Sequence, residues 1–235
     1  MSTFLELCND VARESGTFKD IPAFATMNGV TGRGLRVKNW VASAYRDIQI
    51  SNNGWRFLMA DFSGETLNGV REYNAAALGI DTRFRRWVQH DHDGQQTTTI
   101  YKTSNGAAFE VPLRFIDWSN FRVQALTGPA AAQTGQPTAY SIDNQDRIVL
   151  FPTPDDAYTL RGVYMKSPQM LSSDAEVPEL PETFHPIITY RALLKLGVFD
   201  ESPEQMPIWE AEMKLLYGQL AIEQLPPIRL QGPLI

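Results

Sequence analysis

The sequence predicts an α+β fold in which a four-helix bundle, built from N- and C-terminal helices, carries a large β-rich insertion and an extended C-terminal tail. Apolar residues recur with the 3.6-residue period of a helix near both ends of the 235-residue chain. The middle is rich in Thr, Tyr, Phe and Val and is divided by turn residues, as short strands are. The predicted domains are therefore a helical bundle of residues 1–52 and 171–223, a β-rich insertion at 53–170 and an arm at 224–235.

Two helices are predicted before the insertion. The first begins at Thr3, which forms a capping box with Glu6, and ends at Gly16. The second covers residues 35–50 and has an apolar stripe at positions separated by three or four residues. A glycine-rich and proline-containing loop separates the two helices.

The insertion begins where the helical period gives way to short segments of β-branched and aromatic residues. A proline- and aspartate-rich turn at 152–156 separates its last two strands. Residues 114–125 form a short predicted helix between strands. The predicted strands are Trp55–Asp61, Arg83–His90, Thr97–Thr103, Arg147–Phe151 and Tyr158–Lys166.

Two more helices are predicted after the insertion. The third covers 180–196, with Gly197 as its stop. Ser202 and Gln205 have the spacing of a capping box, with Pro203 at the first helical position, and this pattern opens the fourth helix. The apolar stripe of the fourth helix consists of Trp209, Met213, Leu216 and Leu220. Four helices with one apolar stripe each are most simply buried against one another, which is why a bundle is predicted.

Composition limits the class of protein. Hydrophobic residues make up 43% of the chain, and no apolar run reaches the roughly 18 residues that a membrane span requires. The N-terminus lacks the basic and apolar regions of a signal peptide, and the single cysteine, Cys8, cannot form an internal disulfide. We therefore expect a protein that is made in the cytoplasm and does not enter a membrane.

The negative charge is concentrated in one segment. The net charge is −6, and residues 174–212 contain nine acidic residues but only two basic ones. Such a segment repels nucleic-acid phosphates, although a solvated helix surface would have the same composition. Charge alone leaves both interpretations open.

Residues that could support chemistry are few. His90 and His92 would lie on one face of a strand, as metal ligands can, but the sequence places no third ligand beside them, and a solvated hairpin turn is favoured. His185 and Cys8 are interpreted as structural residues of the helices. Arg83–Trp87 alternates basic and aromatic residues, the pattern of a nucleic-acid-binding strand, although alternation sends its arginines to both faces. We predict no enzymatic activity, no cofactor and no metal.

The last eleven residues form the predicted arm. Three prolines prevent a helix, and five of the eleven residues are Leu or Ile. An exposed tail this apolar promotes aggregation, which favours docking in a groove of a partner, and folding back along its own subunit is the alternative. The predicted contact residues are Leu225, Pro226, Pro227, Ile228, Arg229, Leu230, Leu234 and Ile235.

The order of these segments resembles that of phage head-to-tail adaptor proteins, which lie below the portal. The resemblance extends over nearly the whole chain, except for residues 65–82. It rests on Glu14–Gly16, Trp40–Gln49, Trp55–Leu58, Leu113–Arg122, Gly135–Tyr140, Leu150–Asp155, Leu160–Tyr164 and Leu180–His185, followed by the proline-containing tail.

The resemblance implies a structural virion protein that assembles into a homo-oligomeric ring, typically a dodecamer, between the portal protein and a downstream tail or neck protein. The arm would bind the portal, and DNA would pass through the channel without specific binding. It also implies that acidic residues line the channel, with Glu201, Glu204, Glu210 and Glu212 as the candidates. Two alternatives remain: another neck or tail ring protein, such as a tail terminator or stopper, and a nucleic-acid-binding module.

Overall fold

A computed structural model divides the chain into two compact units. The helical unit comprises the residues up to Leu58 and those from Pro168 onward, and the sheet unit spans Met59–Ser167. The helical unit is therefore discontinuous in sequence, whereas the sheet unit is one continuous segment. The residues that the structure describes are 2–16, 23–80, 82–200 and 203–226.

Two helices, α1 and α2, precede the strands, and two more, α4 and α5, follow them; one short helix, α3, lies among the strands. The α-helices of the described residues are α1 (Phe4–Glu14), α2 (Gly32–Ile50), α3 (Trp118–Ala125), α4 (Pro186–Phe199) and α5 (Met206–Gln224). The strands are β1 (Met59–Glu65), β2 (Glu72–Tyr73), β3 (Phe84–Val88), β4 (Thr99–Lys102), β5 (Val111–Pro112), β6 (Arg114–Phe115), β7 (Ala139–Ile142), β8 (Ile148–Phe151) and β9 (Tyr158–Lys166).

Helix α1 is held at its N-terminus by side chain and backbone together. The hydroxyl of Thr3 accepts from the Glu6 amide, and the Glu6 carboxylate accepts from the Thr3 amide, which confirms the predicted capping box. The Phe4 amide, one of the donors that a helix leaves unpaired, donates to the Glu176 carbonyl at 2.8 Å. The start of the chain is thus fixed to a segment that follows the sheet unit.

Helix α4 is the centre of the helical unit and packs against α1, α2 and α5. Seven of its fourteen residues are buried. Asp47 of α2 accepts from Lys195 of α4 at 2.8 Å, and Arg33 pairs with Asp200 just after α4. Ion pairs therefore reinforce the apolar contact between α2 and α4.

The predicted four-helix bundle is wrong. Helix α5 packs mainly on α4 and buries only Trp209 and Leu220 of its nineteen residues, so it does not share a common core with α1 and α2. Its apolar residues lie all round the helix instead of on one stripe, and one neighbouring helix cannot cover them all. The prediction failed because it treated the best stripe of α5 as its only one.

A buried amide pair attaches the segment after the sheet unit to α2. Gln49 is fully buried; its side-chain amide donates to the Gln169 carbonyl at 2.9 Å and its side-chain oxygen accepts from the Gln169 amide at 2.7 Å. The Tyr45 hydroxyl completes the network by donating to the Gln169 side chain at 2.9 Å. Each buried polar group is satisfied, as burial requires.

The sheet unit is organised around the nine-residue strand β9. β1 pairs with one edge of β9 along its length, while β3 and β4 share the other edge; all three pairings are antiparallel, and β5 extends the sheet beyond β4. A second sheet has the order β2–β8–β7–β6, in which only the β6–β7 pairing is parallel.

The core of the sheet unit lies among the strands and is rich in aromatic residues. Its buried members are Phe62, Tyr73, Leu78, Ile80, Trp87, Ile100, Leu113, Tyr140, Ile148, Leu150, Tyr158 and Leu160. The fold is therefore a sheet-rich α+β fold with a β core, in place of a helical bundle that carries an insertion.

Candidate functional site

The packing of α5 on α4 depends on a glycine. Gly197 lies inside α4, so the prediction that it ends the helix is wrong. A Cβ at this position would lie 3.0 Å from Met206 Cγ and 3.2 Å from Trp209 Cζ3 of α5. The missing side chain therefore lets α5 approach α4 closely and fixes which face of α5 is buried.

The opposite face of α5 is apolar and exposed. Ile208, Leu215 and Ile222 are 64%, 59% and 84% exposed, although each is a large aliphatic residue. With Ala211 and Gly218 they recur every three or four residues, so they lie on one line along the helix. We call these five residues the α5 outer stripe. Sequence reasoning missed it, although the spacing of seven between its three large residues was a readable signal.

The acidic channel-lining candidates divide between the two flanks of this stripe. Glu204, Glu210 and Glu212 are exposed, and Glu210 forms an ion pair with Lys214 at 2.7 Å. Residues two positions apart point about 200° apart on a helix, so Glu210 and Glu212 face different directions. The structure therefore does not bring them onto one surface. Glu201 lies outside the described residues.

The outer face of α2 is basic and partly apolar. Leu35 and Ile50 are 44% and 47% exposed, and Arg46 is exposed on the same side of the helix. Arg36 flanks them, and its guanidinium stacks 4.0 Å from the ring centre of Phe199. The helix contains four basic residues and one acidic residue, Asp47, which α4 already neutralises. We call Leu35, Asn39, Arg46 and Ile50 the α2 outer face.

Only the first two predicted contact residues of the arm, Leu225 and Pro226, are described. Leu225 ends α5 and packs beside Gly54, where an added Cβ would lie 3.3 Å from Leu225 Cδ2. Pro226 is exposed. The other predicted contacts, Pro227, Ile228, Arg229, Leu230, Leu234 and Ile235, lie outside the described residues. The alternative of folding back therefore has support for Leu225 alone.

The structure does not bring His90 and His92 together in one group of possible metal ligands. His90 contacts Gln96, Nε2 to Nε2 at 3.1 Å, and the edge of Phe115, whereas His92 lies with Asp91 and Asp93 in an exposed turn. One oxygen of Asp91 already accepts from the Asp93 and Gln95 amides, and the Gln95 bond lowers the pKa of this carboxyl. Exposed acidic turns of this kind are common without an ion, and this turn is explained by its own hydrogen bonds.

The basic strand at 83–87 does not present a stacking platform for bases. Trp87 is buried against Phe62, with ring centres 4.9 Å apart, and Phe84 packs on Trp87 at 4.6 Å. Arg83 donates two hydrogen bonds to the Ser167 carbonyl, from Nη2 at 2.7 Å and from Nε at 3.0 Å. The aromatic rings that would contact bases thus belong to the core, which weighs against the nucleic-acid-binding alternative.

Two buried titratable groups have structural roles. Cys8 is fully buried in α1, and burial raises the pKa of its thiol to about 12, far from a reactive thiolate. His185 precedes α4, contacts the Leu180 carbonyl through Nε2 at 2.9 Å, and has its pKa lowered by burial. Both residues are buried, and their interpretation as structural residues stays a prediction.

The distinctive features of the described residues are exposed faces: an apolar stripe with acidic flanks, a basic helix face and the start of an arm. Such surfaces define an assembly protein, one that works by contact with other macromolecules. The model of the SU10 adaptor protein family matches residues 2–233, and the chain belongs to this family of phage head-to-tail adaptors. The family predicted from the resemblance is confirmed.

Membership defines the general role. The protein is a structural component of a phage virion that associates with other head and tail proteins, and an adaptor role is not an enzymatic one. No helix in the described parts of the chain is long and apolar enough to span a membrane. A comparison with curated proteins finds no match.

Proposed function

We propose that this protein forms a ring between the portal and the tail, extends the DNA channel and provides the surface on which the next tail or neck component docks. The observation that carries the proposal is the family match over residues 2–233. The exposed apolar and charged faces of α2 and α5 support it, because a subunit working alone gains nothing from leaving aliphatic side chains in water.

The portal contact is assigned to the arm at 225–235. Leu225 packs beside Gly54, so the arm leaves the helical unit at a defined point. Beyond Leu225 the sequence has four Leu or Ile residues and one charged residue, together with three prolines that limit the conformations of the free segment. A restricted segment loses less entropy on capture, which favours docking into a groove of the portal.

The channel wall is assigned to one acidic flank of α5. Because Glu210 and Glu212 diverge, only one of them can face the lumen if α5 lies along the channel. A wall with net negative charge repels the phosphates of the passing DNA and prevents it from sticking. Within α5, this leaves either Glu210 or Glu212 as the residue that faces the lumen.

The arm assignment is tested by deletion of residues 227–235, which leaves the Leu225 contact in place. We expect the truncated chain to keep its circular dichroism and melting temperature but to lose attachment to DNA-filled heads. The matched control replaces the nine residues by a Gly-Ser segment of the same length and should fail equally. Truncated protein seen on portals by cryo-electron microscopy would exclude the arm as the portal contact.

The ring itself is tested on the particle. Cryo-electron microscopy of the neck should place copies of this protein in a closed ring directly below the portal, with twelve copies as the expectation. Density for it inside the head, or at the distal end of the tail, would contradict the proposed function.

A further inference from the structure

The outer stripe of α5 has features that the single subunit does not explain. Gly218 lies in the interior of a helix, where glycine costs about 1 kcal/mol relative to alanine. A Cβ at Gly218 would have no atom within 4 Å, so nothing in the described part of the chain requires its absence. Glycine and alanine between large aliphatic residues allow another helix to approach closely.

The stripe also has the spacing of a helix–helix seam. Ile208, Leu215 and Ile222 are seven residues apart, and Ala211 and Gly218 lie between them at the intervening contact positions. A line of apolar residues with a period of 3.5 is the pattern by which one helix packs along another. The line is about 21 Å long.

The charges beside the stripe indicate which surface would cover it. Helix α5 carries Glu210, Glu212 and Glu223 against one basic residue, Lys214, so its exposed surface is acidic. The outer face of α2 is basic, and its two exposed aliphatic residues, Leu35 and Ile50, are about 22 Å apart. The two surfaces are therefore similar in length, both contain exposed aliphatic residues, and their charges are opposite in sign.

Among the described residues, the two surfaces do not contact each other within one subunit. Both are exposed, and the contacts of Tyr217 of α5 with Ser51, at 2.8 Å between Oγ and Oη, and with Trp55 involve residues that follow α2 and lie outside both surfaces. A second copy of the chain can cover both surfaces, since each copy carries the two of them. Because the contact joins two different surfaces, it repeats from copy to copy and closes into a ring when the rotation between copies permits.

We propose that the α5 outer stripe of one subunit docks on the α2 outer face of the next subunit, and that this contact links the copies of the ring. Glu212 and Glu223, on one flank of the stripe, would then lie near Arg36 and Arg46 of the neighbouring copy. The other flank, with Glu210, is left free for the channel or the exterior. This inference deepens the proposed function, since it names the surfaces through which the ring forms.

Two single variants of the full-length chain test the contact. Leu215→Arg places a charge in the α5 outer stripe, and Ile50→Glu places one in the α2 outer face. Each should weaken self-association of the purified protein at least about tenfold in sedimentation velocity, without a change in circular dichroism. The control is Val123→Arg, at a position of the sheet unit that is 71% exposed, which should associate like the wild type.

Mixing the two variants separates this contact from a symmetric one. Leu215→Arg keeps an intact α2 face and Ile50→Glu keeps an intact α5 stripe, so an equimolar mixture should form a heterodimer and stop there. If α5 paired with α5 instead, Ile50→Glu would dimerise alone and the mixture would add nothing. That result would overturn the proposal, as would a wild-type chain that stays monomeric at several hundred micromolar.

Charge reversal supplies a second readout. Replacing Glu212 and Glu223 by Lys should weaken association, and combining this change with Arg36→Glu and Arg46→Glu should restore it, with the salt dependence expected of exposed charges. Full association of the doubly reversed α5 variant alone would contradict the pairing. A neck ring held by other surfaces would refute this contact alone. Self-association through α2 and α5, without a ring below the portal, would refute the proposed function instead.

Discussion

Helices α1 and α5 lie at opposite ends of the chain and pack on the same central helix, yet they are buried to very different extents. Five of the eleven residues of α1 are buried, whereas two of the nineteen residues of α5 are. Helix α1 has its apolar and polar residues on separate faces, so packing on α2 and α4 of its own chain covers the apolar face. Helix α5 has apolar residues on two sides, and only one of these sides is buried in the described part of the subunit.

The difference shows that the outer face of a helix indicates whether the helix is part of an assembly. A helix that is polar on its outer side is complete within a monomer, while one that is apolar all round needs cover on every side. The comparison predicts that α1 determines the stability of the subunit and that α5 determines its associations.

The largest expected effect is on the core side of α1. Phe4→Ala should lower the free energy of unfolding by about 3–5 kcal/mol, because Phe4 is fully buried and its removal leaves a cavity. Leu215→Ala in α5 should change it by less than about 0.5 kcal/mol, since this side chain is largely exposed. Denaturant titrations of dilute protein give both values. Similar losses from both variants would end the distinction between the two helices.

A smaller loss is expected at the buried amide pair. Gln49→Leu should lower the free energy of unfolding by about 2–3 kcal/mol, because the amide and carbonyl of Gln169 are left without their partners. Gln133→Leu, in a short helical turn of the sheet unit where the side chain is exposed, is the control and should be nearly neutral. Unfolding curves are the measurement. An unaffected Gln49→Leu variant would show that water replaces the pair.

Two glycine to alanine substitutions should change the stability of the subunit in opposite directions. Gly218→Ala should stabilise the subunit by about 0.5–1 kcal/mol, since alanine favours the helix and its Cβ meets no atom within 4 Å. Gly64→Ala in β1 should destabilise it by about 1–3 kcal/mol, because its Cβ would lie 2.8 Å from Leu78 Cα. Melting temperatures suffice to test both signs. Destabilisation by Gly218→Ala in a dilute monomer would mean that the subunit itself requires this glycine.

The smallest expected effect is a pH dependence of the contact between α1 and α4. Leu7 and Asp10 of α1 and His185 and Thr189 line a cavity of about 160 Å³. Burial lowers the pKa of His185 below its usual 6.5, so the folded chain binds the proton less well than the unfolded one. Stability is therefore complete above pH 6.5 and falls as the pH drops through 6.5 towards the folded pKa.

His185→Gln provides the comparison for that pH dependence. The wild type should lose more stability than the variant between pH 7 and pH 5, as seen in urea unfolding at each pH. Asp174 and Glu176, whose pKa values are lowered by hydrogen bonds, add their own losses only below their usual values of 3.8 and 4.5. If the free energy of unfolding falls by the same amount in both proteins between pH 7 and pH 5, His185 is not the group responsible.

Local signals in the sequence predicted individual elements well. The capping box at Thr3 gave the start of α1, and the alternating residues of Tyr158–Lys166 gave β9 with its observed bounds. Strand β1 begins at Met59, four residues after its predicted start, because Trp55 is buried and its indole donates to the Ile48 carbonyl at 2.9 Å. The two-residue strands β2, β5 and β6 were missed, since a period of two is not visible over so short a length.

Tertiary relationships were harder to predict. Gly197 was interpreted as a helix stop, but it lies inside α4 because α5 needs its missing side chain. The charge of α5 was read from composition, and composition does not show that Glu210 and Glu212 point in different directions. The outer stripe was overlooked because only one apolar face per helix was sought. Only the role of Gly197 depends on what packs on the helix, which no local pattern contains. The directions of the two glutamates and the outer stripe follow from helical spacing and were overlooked.

The attachment of the first helix to residues after the sheet unit has a consequence for the order of synthesis. The Phe4 and Leu5 amides donate to the carbonyls of Glu176 and Asp174, and α4 begins only at Pro186. At roughly 5–20 residues per second, α1 and α2 wait on the order of ten seconds on the ribosome for their partner. The continuous sheet unit emerges whole during that interval. We therefore expect the middle of this protein to fold before its beginning, and premature termination before α4 to leave two apolar helices exposed to proteases.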